Sequence, residues 1–148
     1  MTDFALDPRL AADTLAVRTL ALCDLRLMND ARYPWLVLVP RRAGMVELLD
    51  LDDSDQLLLY DEVRACARAL QTVCAPDKLN IATLGNVVAQ LHVHVIARFR
   101  NDDAWPRPVW GVHPAVAYQD DIAESLVARL NAALVALPMG SDSNSDPC

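Results

Sequence analysis

Gln90-Leu91-His92-Val93-His94-Val95-Ile96 is the stretch whose reading decides the fold, because polar and apolar residues alternate through it from Gln90 to Val95. On a β-strand such alternation sends Leu91, Val93 and Val95 to the core and sets Gln90, His92 and His94 in one row, successive members ~6.6 Å apart. Two imidazoles at that spacing suit either of two chemistries. One ring can attack a substrate while its neighbour orients it, or both can ligate a metal.

Outward from this row, the spacing predicts a long strand over 89–99, a strand over 78–83, and a turn or tight backbone approach at Gly85-Asn86. Upstream, Asp24-Leu25-Arg26-Leu27-Met28 alternates with period two, Asn29-Asp30 breaks it, and Trp35-Leu36-Val37-Leu38-Val39 runs on to Pro40. These two stretches predict an antiparallel hairpin with a loop of several residues. Between the hairpin and the histidine row, Leu59, Val63, Cys66, Leu70 and Val73 recur at helical spacing. Asp50 or Asp52 can cap this long helix, Asp53 and Asp55 suit its positive end, and Pro76 stops it. A last helix is predicted over 120–137, with Ile122, Leu126, Leu130, Leu134 and Leu137 on one stripe. Residues 6–22 read as a short helix or turn followed by an extended entry. Strands without βαβ alternation, with helices on one face, make an α+β domain.

With 148 residues, 53% hydrophobic and 22% charged, the chain has globular composition and room for one domain, here 1–139. The segment 140–148 has the composition of a disordered tail. The 13 basic and 20 acidic residues leave a formal charge of −7, which excludes a general affinity for nucleic acid or anionic lipid and argues against a role on DNA ends. Cys23, Cys66, Cys74 and Cys148 match no zinc or redox spacing and read as reduced thiols; Cys66 and Cys74 on one helix would lie ~12 Å apart along its axis, too far for a disulfide. No secretory signal is evident after Met1, and Asn80, Gly85, Asn86, Gln90, His92 and His94 interrupt the longest uncharged run, so no membrane span is expected and the location is expected to be cytoplasmic.

The run from Lys78 to Arg98, with its Gly-Asn turn ahead of alternating His and apolar residues, resembles the signature of the histidine-triad (HIT) nucleotide hydrolases and transferases. Leu27-Met28-Asn29-Asp30 and Leu36-Val37-Leu38-Val39-Pro40 resemble that family's nucleotide-contacting hairpin, so the likeness spans about residues 22–100. It implies a HIT-like fold: an antiparallel sheet, one long central helix, a C-terminal helix, and a homodimer. His92 matches the nucleophile that takes the nucleotide from its α-phosphorus and yields it to water. His94 matches the third triad position, and Gln90 stands where the first histidine is usual. Asn29 matches a ribose contact, Asn80 a ribose or phosphate contact, Gly85 a backbone approach to phosphate, and Asn86 a contact to the bridging or leaving oxygen.

Three departures from the pattern bear on chemistry. Gln90 hydrogen-bonds but cannot be protonated, Trp35 occupies a position often held by another histidine, and Val87 lacks the phosphate-binding hydroxyl of several members. The implied function is hydrolysis of a dinucleoside polyphosphate or nucleoside phosphoramidate through a nucleotidyl-histidine, with no cofactor required and a divalent cation accompanying the substrate left open. A nucleotide-binding module with little turnover is the alternative. A metal site on His92 and His94, completed by Asp102, Asp103 or His113, is the third reading. Arg98 and Arg100 read as solvated strand-end charges, Trp105 and Trp110 as core residues or edges of a leaving-group pocket, and His113 as a surface residue.

Overall fold

The computed structural model describes residues 3–136. Among these, β1 (Thr14–Thr19), β2 (Cys23–Met28), β3 (Trp35–Pro40), β4 (Lys78–Ala82) and β5 (Val93–Arg98) form one sheet in the order β1-β2-β3-β5-β4. Every neighbouring pair is antiparallel. Helix α1 (Pro8–Asp13) precedes β1, α2 (Asp53–Cys74) joins the hairpin to β4, and α3 (Asp120–Ala136) follows β5. The α+β class, the β2–β3 hairpin and both long helices agree with the sequence expectations.

Helix α2 begins where Asp52 accepts a hydrogen bond from the Asp55 amide at 2.8 Å, and Asp53 and Asp55 lie in its positive first turn. Of the two candidate caps, Asp52 is used, while Asp50 closes a short turn ahead of the helix by accepting from the amides of Val46 and Glu47. Ala75 ends the helix in a left-handed conformation just before Pro76. Leu59, Val63, Cys66 and Leu70 face the sheet, where they meet Leu25, Leu27, Leu36, Leu38, Val93 and Val95 together with Leu126, Leu130 and Leu134 of α3. Glu62 lies fully buried on the same face of α2, its carboxylate accepting from the amides of Leu22 at 2.7 Å and Cys23 at 2.9 Å. A charge there breaks the apolar stripe because it satisfies two donors at the start of β2.

The opposite sheet face is covered as well. Trp35, Val37, Val39 and Ile96 pack under Leu10 of α1 and under Ala104 and Val109 of the segment after β5, with Phe4 and Leu6 alongside. Burial on both faces is why β3 reads as an uninterrupted apolar run rather than an alternation.

Four sequence expectations need correction. Strand β5 is shorter than 89–99, starting at Val93: its register would set Leu91 opposite Pro40, which has no N–H to donate, and β4 ends at Ala82. Leu91 instead donates its amide to the carbonyl of Met45. Strand β4 likewise ends one residue before Thr83. On α3, Ile122 is exposed and Ala123 takes the buried position; Leu137 and the tail 140–148 lie outside the described residues. Arg98 is not solvated but 1% exposed, bound through both guanidinium edges to Asp102 at 2.7 and 3.0 Å and to Asn80 Oδ1 at 2.8 Å; Arg100 is exposed as expected.

Asp102 gathers the segment after β5 around itself. Burial alone would raise its carboxyl, but Arg98 and the amides of Phe99, Trp105 and Ala104 together hold it below the usual carboxylate range. Asp102→Ala is expected to cost ~3–5 kcal/mol in urea unfolding by leaving Arg98 charged and unpaired, and a double replacement of Arg98 and Asp102 by Met and Leu to recover most of that loss.

Candidate active site

Strand pairing places the two histidines. His92 is the last residue before β5 and His94 the second residue within it, on the face turned away from α2. Their ring centroids lie 4.8 Å apart with the planes inclined at 76°, and both side chains are buried, at 6% and 4% exposure. Nδ1 of His92 lies 2.6 Å from the main-chain carbonyl oxygen of Gln90. A carbonyl only accepts, so this nitrogen carries the ring proton and Nε2 presents its lone pair.

His94 is enclosed by aromatic rings. Trp35 lies diagonally across the β3–β5 pairing and donates its indole N–H to His94 Nδ1 at 2.9 Å, while Trp110 stands edge-on 5.1 Å from the His94 ring. Burial, and next the neighbouring His92, push the His94 ring down to about 3. At neutral pH it therefore offers a hydrogen bond and no positive charge.

Beside this cluster opens a cleft of about 340 Å³ whose wall includes Asn29, Asp30, Arg32, Trp35, Trp110 and His113. Arg32 bonds the buried Asp30 carboxylate through Nε at 2.9 Å and Nη2 at 2.7 Å. Burial raises the Asp30 carboxyl, but the hydrogen bonds from Arg32 and from the amide of Val116 outweigh it and hold the group below its ordinary range. Asn29 Oδ1 accepts from the amide of Tyr118 at 2.9 Å. The turn between β2 and β3 is thus tied to the segment entering α3, and the two together shape the cleft.

The sequence-predicted residues are only partly brought together. His92 and His94 adjoin one another, and Asn29 lies on the cleft wall. Gln90 does not share their strand face: it precedes β5, and its side chain accepts from the amide of Asp7 and donates to the carbonyl of Ala5, both at 2.8 Å. What reaches His92 is the main chain of Gln90. Asn80 sits on β4 and engages Arg98. Gly85 has φ +74°, which accounts for glycine at that turn, and Asn86 and Val87 are exposed beside it. Asn80, Gly85 and Asn86 do not line the cleft, and His92 and His94 themselves sit behind its Trp35 and Trp110 wall rather than on it. Asp102, offered for the metal reading, is engaged by Arg98, and among the described residues no group of three or more His, Cys, Asp or Glu side chains is placed to hold a metal ion.

Asp30 and Arg32 escaped the sequence reading as individual site residues; their i, i+2 pairing inside a turn was the one local signal available. Trp35, read there only as a replacement for a usual histidine, contacts His94 directly.

Because His94 is held neutral in the fold but is free to take a proton at its ordinary value, near 6.5, once unfolded, the unfolded chain binds more protons below that pH. Stability is expected to fall as pH drops from 6.5 toward 4, by at most ~1.4 kcal/mol per pH unit. Urea titrations over that range should show a flatter dependence for His94→Gln.

The sequence matches the HIT domain over residues 9–101. Among solved structures it is similar to a histidine triad protein from Bradyrhizobium japonicum, with 44% identity and a TM-score of 0.88 over 90% of this chain and 99% of that one. A histidine triad protein from Sinorhizobium meliloti 1021 shares 45% identity, with a TM-score of 0.87 over 88% and 96% of the two chains. One from Marinobacter aquaeolei VT8 shares 42%, with a TM-score of 0.87 over 93% of this chain and 100% of that one. No curated protein matches. With a domain match over more than half its length and relatives above 40% identity along nearly all of it, the chain belongs to the histidine triad family.

Proposed function

We propose that this protein hydrolyses a nucleoside-phosphate linkage, in a dinucleoside polyphosphate or a nucleoside phosphoramidate, through a nucleotidyl-His92 intermediate. The observation that carries this reading is the 2.6 Å contact of His92 Nδ1 with the Gln90 carbonyl, which leaves Nε2 as the free nucleophile. Nε2 attacks the α-phosphorus, the N–P bond forms, and the bond to the leaving group breaks with its electron pair. The ring then carries a positive charge, which the Gln90 carbonyl stabilises through Nδ1–H. Water attacks the same phosphorus and gives up a proton to bulk solvent, the N–P bond breaks, and the electron pair returns to Nε2 as the nucleoside monophosphate leaves. The nucleoside occupies the cleft beside Trp35 and Trp110, with Asn29 and the Asp30–Arg32 pair on its wall. Asn80, Gly85 and Asn86 enter this proposal only as contacts made once substrate is bound. The chemistry itself requires no cofactor, and a divalent cation comes with the polyphosphate.

A second reading, nucleotide binding with little turnover, is favoured by one observation. The Gln90 amide is already engaged by Asp7 and Ala5, and His94 is neutral, so neither flanking side chain can protonate a poor leaving group. A cytoplasmic location is also proposed; among the described residues no helix is long and apolar enough to cross a membrane. A homodimer is proposed as well: β4 is a sheet edge, and Ile81 on it and Leu84 and Val87 just beyond are exposed apolar residues.

Nucleoside monophosphate release from diadenosine tri- and tetraphosphate and adenosine phosphoramidate should be catalysed by wild type and reduced on the order of 10³-fold or more in His92→Asn. Nucleotide binding without release by the wild type would instead establish the binding module. For the dimer, Ile81→Lys is expected to shift the sedimentation coefficient from that of two chains to that of one.

A further inference from the structure

The ring of His94 is held by a bond that has only one possible polarity. An indole N–H donates and has no lone pair to accept with, whereas an imidazole nitrogen takes either part according to tautomer. The 2.9 Å contact from Trp35 Nε1 therefore requires the lone pair on His94 Nδ1 and puts the ring proton on Nε2. A second proton on this ring could go only to Nδ1, where it would confront the indole N–H, donor against donor.

Trp35 cannot easily turn away. It is 6% exposed, lies on β3 with its backbone opposite Ile96, and meets Trp110 edge-on at 5.6 Å. The groups packed around the His94 ring are Trp35 from β3, Trp110 from the segment after β5, and His92 from the residues before it; Val37 and Ala82 are its strand partners. His92 is the titratable one among them.

We propose that Trp35 is a positioning residue that locks His94 as the neutral Nε2–H tautomer, a fixed hydrogen-bond donor rather than a proton source. The functional consequence rests on the hydrolase reading: His94 steadies a phosphoryl oxygen through the attack by His92 but cannot hand a proton to the leaving group. Substrates whose leaving group departs as a stable anion, such as a nucleoside di- or triphosphate, are then preferred over those whose leaving group must be protonated, such as an amine. The lock itself does not depend on that reading.

The test is side-chain ¹⁵N NMR of the free wild-type protein, with His94 assigned by comparison with His94→Gln. The expected result is a lone-pair-type Nδ1 resonance, a protonated Nε2, no titration between pH 5 and 8, and a coupling across the hydrogen bond between Trp35 Nε1 and His94 Nδ1. A protonated Nδ1, or titration inside that range, overturns the proposal. Trp35→Phe keeps a ring in the packing and removes the donor, so His94 should then titrate at higher pH or populate both tautomers. An unchanged tautomer and titration in a folded Trp35→Phe would assign the effect to burial and overturn the role of Trp35; should that variant not fold, the wild-type coupling decides alone. Because these signals are read without substrate, an absence of turnover counts against the hydrolase reading and not against the lock.

Discussion

The pairing of β3 with β5 is the constraint on which the rest of the site depends. Its register sets Val37 opposite His94 and Trp35 opposite Ile96, so that Trp35 and His94 become diagonal neighbours on the same sheet face. A shift of one residue would turn His94 toward α2 and set Val93 or Val95 against Trp35 and Trp110 in its place, since side chains alternate with a period of two. The register is held by burial on both faces: Leu36, Leu38, Val93 and Val95 pack against the long helices while Trp35, Val37 and Ile96 pack under α1 and the segment after β5. The same pairing ends at Leu38 opposite Val93, so residues 83–92 lie outside the sheet and the chain rejoins it at Val93.

Around this frame, buried polar groups serve as anchors for irregular segments. Glu62 fixes the entry to β2, Asp102 with Arg98 organises the turn after β5, Asp30 with Arg32 and Asn29 tie the hairpin loop to the segment before α3, and the Gln90 amide holds residues 5 and 7. Each anchor pairs a side chain with backbone groups that strands and helices leave unsatisfied, which is where buried polar residues are stable. The cleft walls come from these anchored segments, beside the strand end that carries His92 and His94.

Much of this was legible in the residue order. The alternation of Leu91, Val93 and Val95 with His92 and His94 identified the core side of β5, and the helical spacing of Leu59, Val63, Cys66 and Leu70 identified the buried side of α2. The nucleophile assignment to His92 came from its resemblance to a family motif, and its orientation from a main-chain contact that no side-chain pattern announces. Arg98 looked like a solvated charge because its partners Asn80 and Asp102 lie on a different strand and in a following loop. Gln90 looked like a third site residue because alternation was extended past the point where β5 has partners.

What the sequence by itself determined was periodicity, and hence which residues face the core, where α2 starts and stops, and which two imidazoles sit at the head of β5. Those are local properties, set by the geometry of helix and strand and by capping residues a few positions away. Tertiary structure alone decided which nitrogen of each histidine is free, that Trp35 reaches His94, that the Gln90 side chain points to the N-terminal segment, and that Arg98 is buried. Each of these depends on residues brought together by strand pairing or loop closure across long stretches of chain, and hydrogen-bond polarity is set by the atoms that meet, not by the order in which their residues are joined.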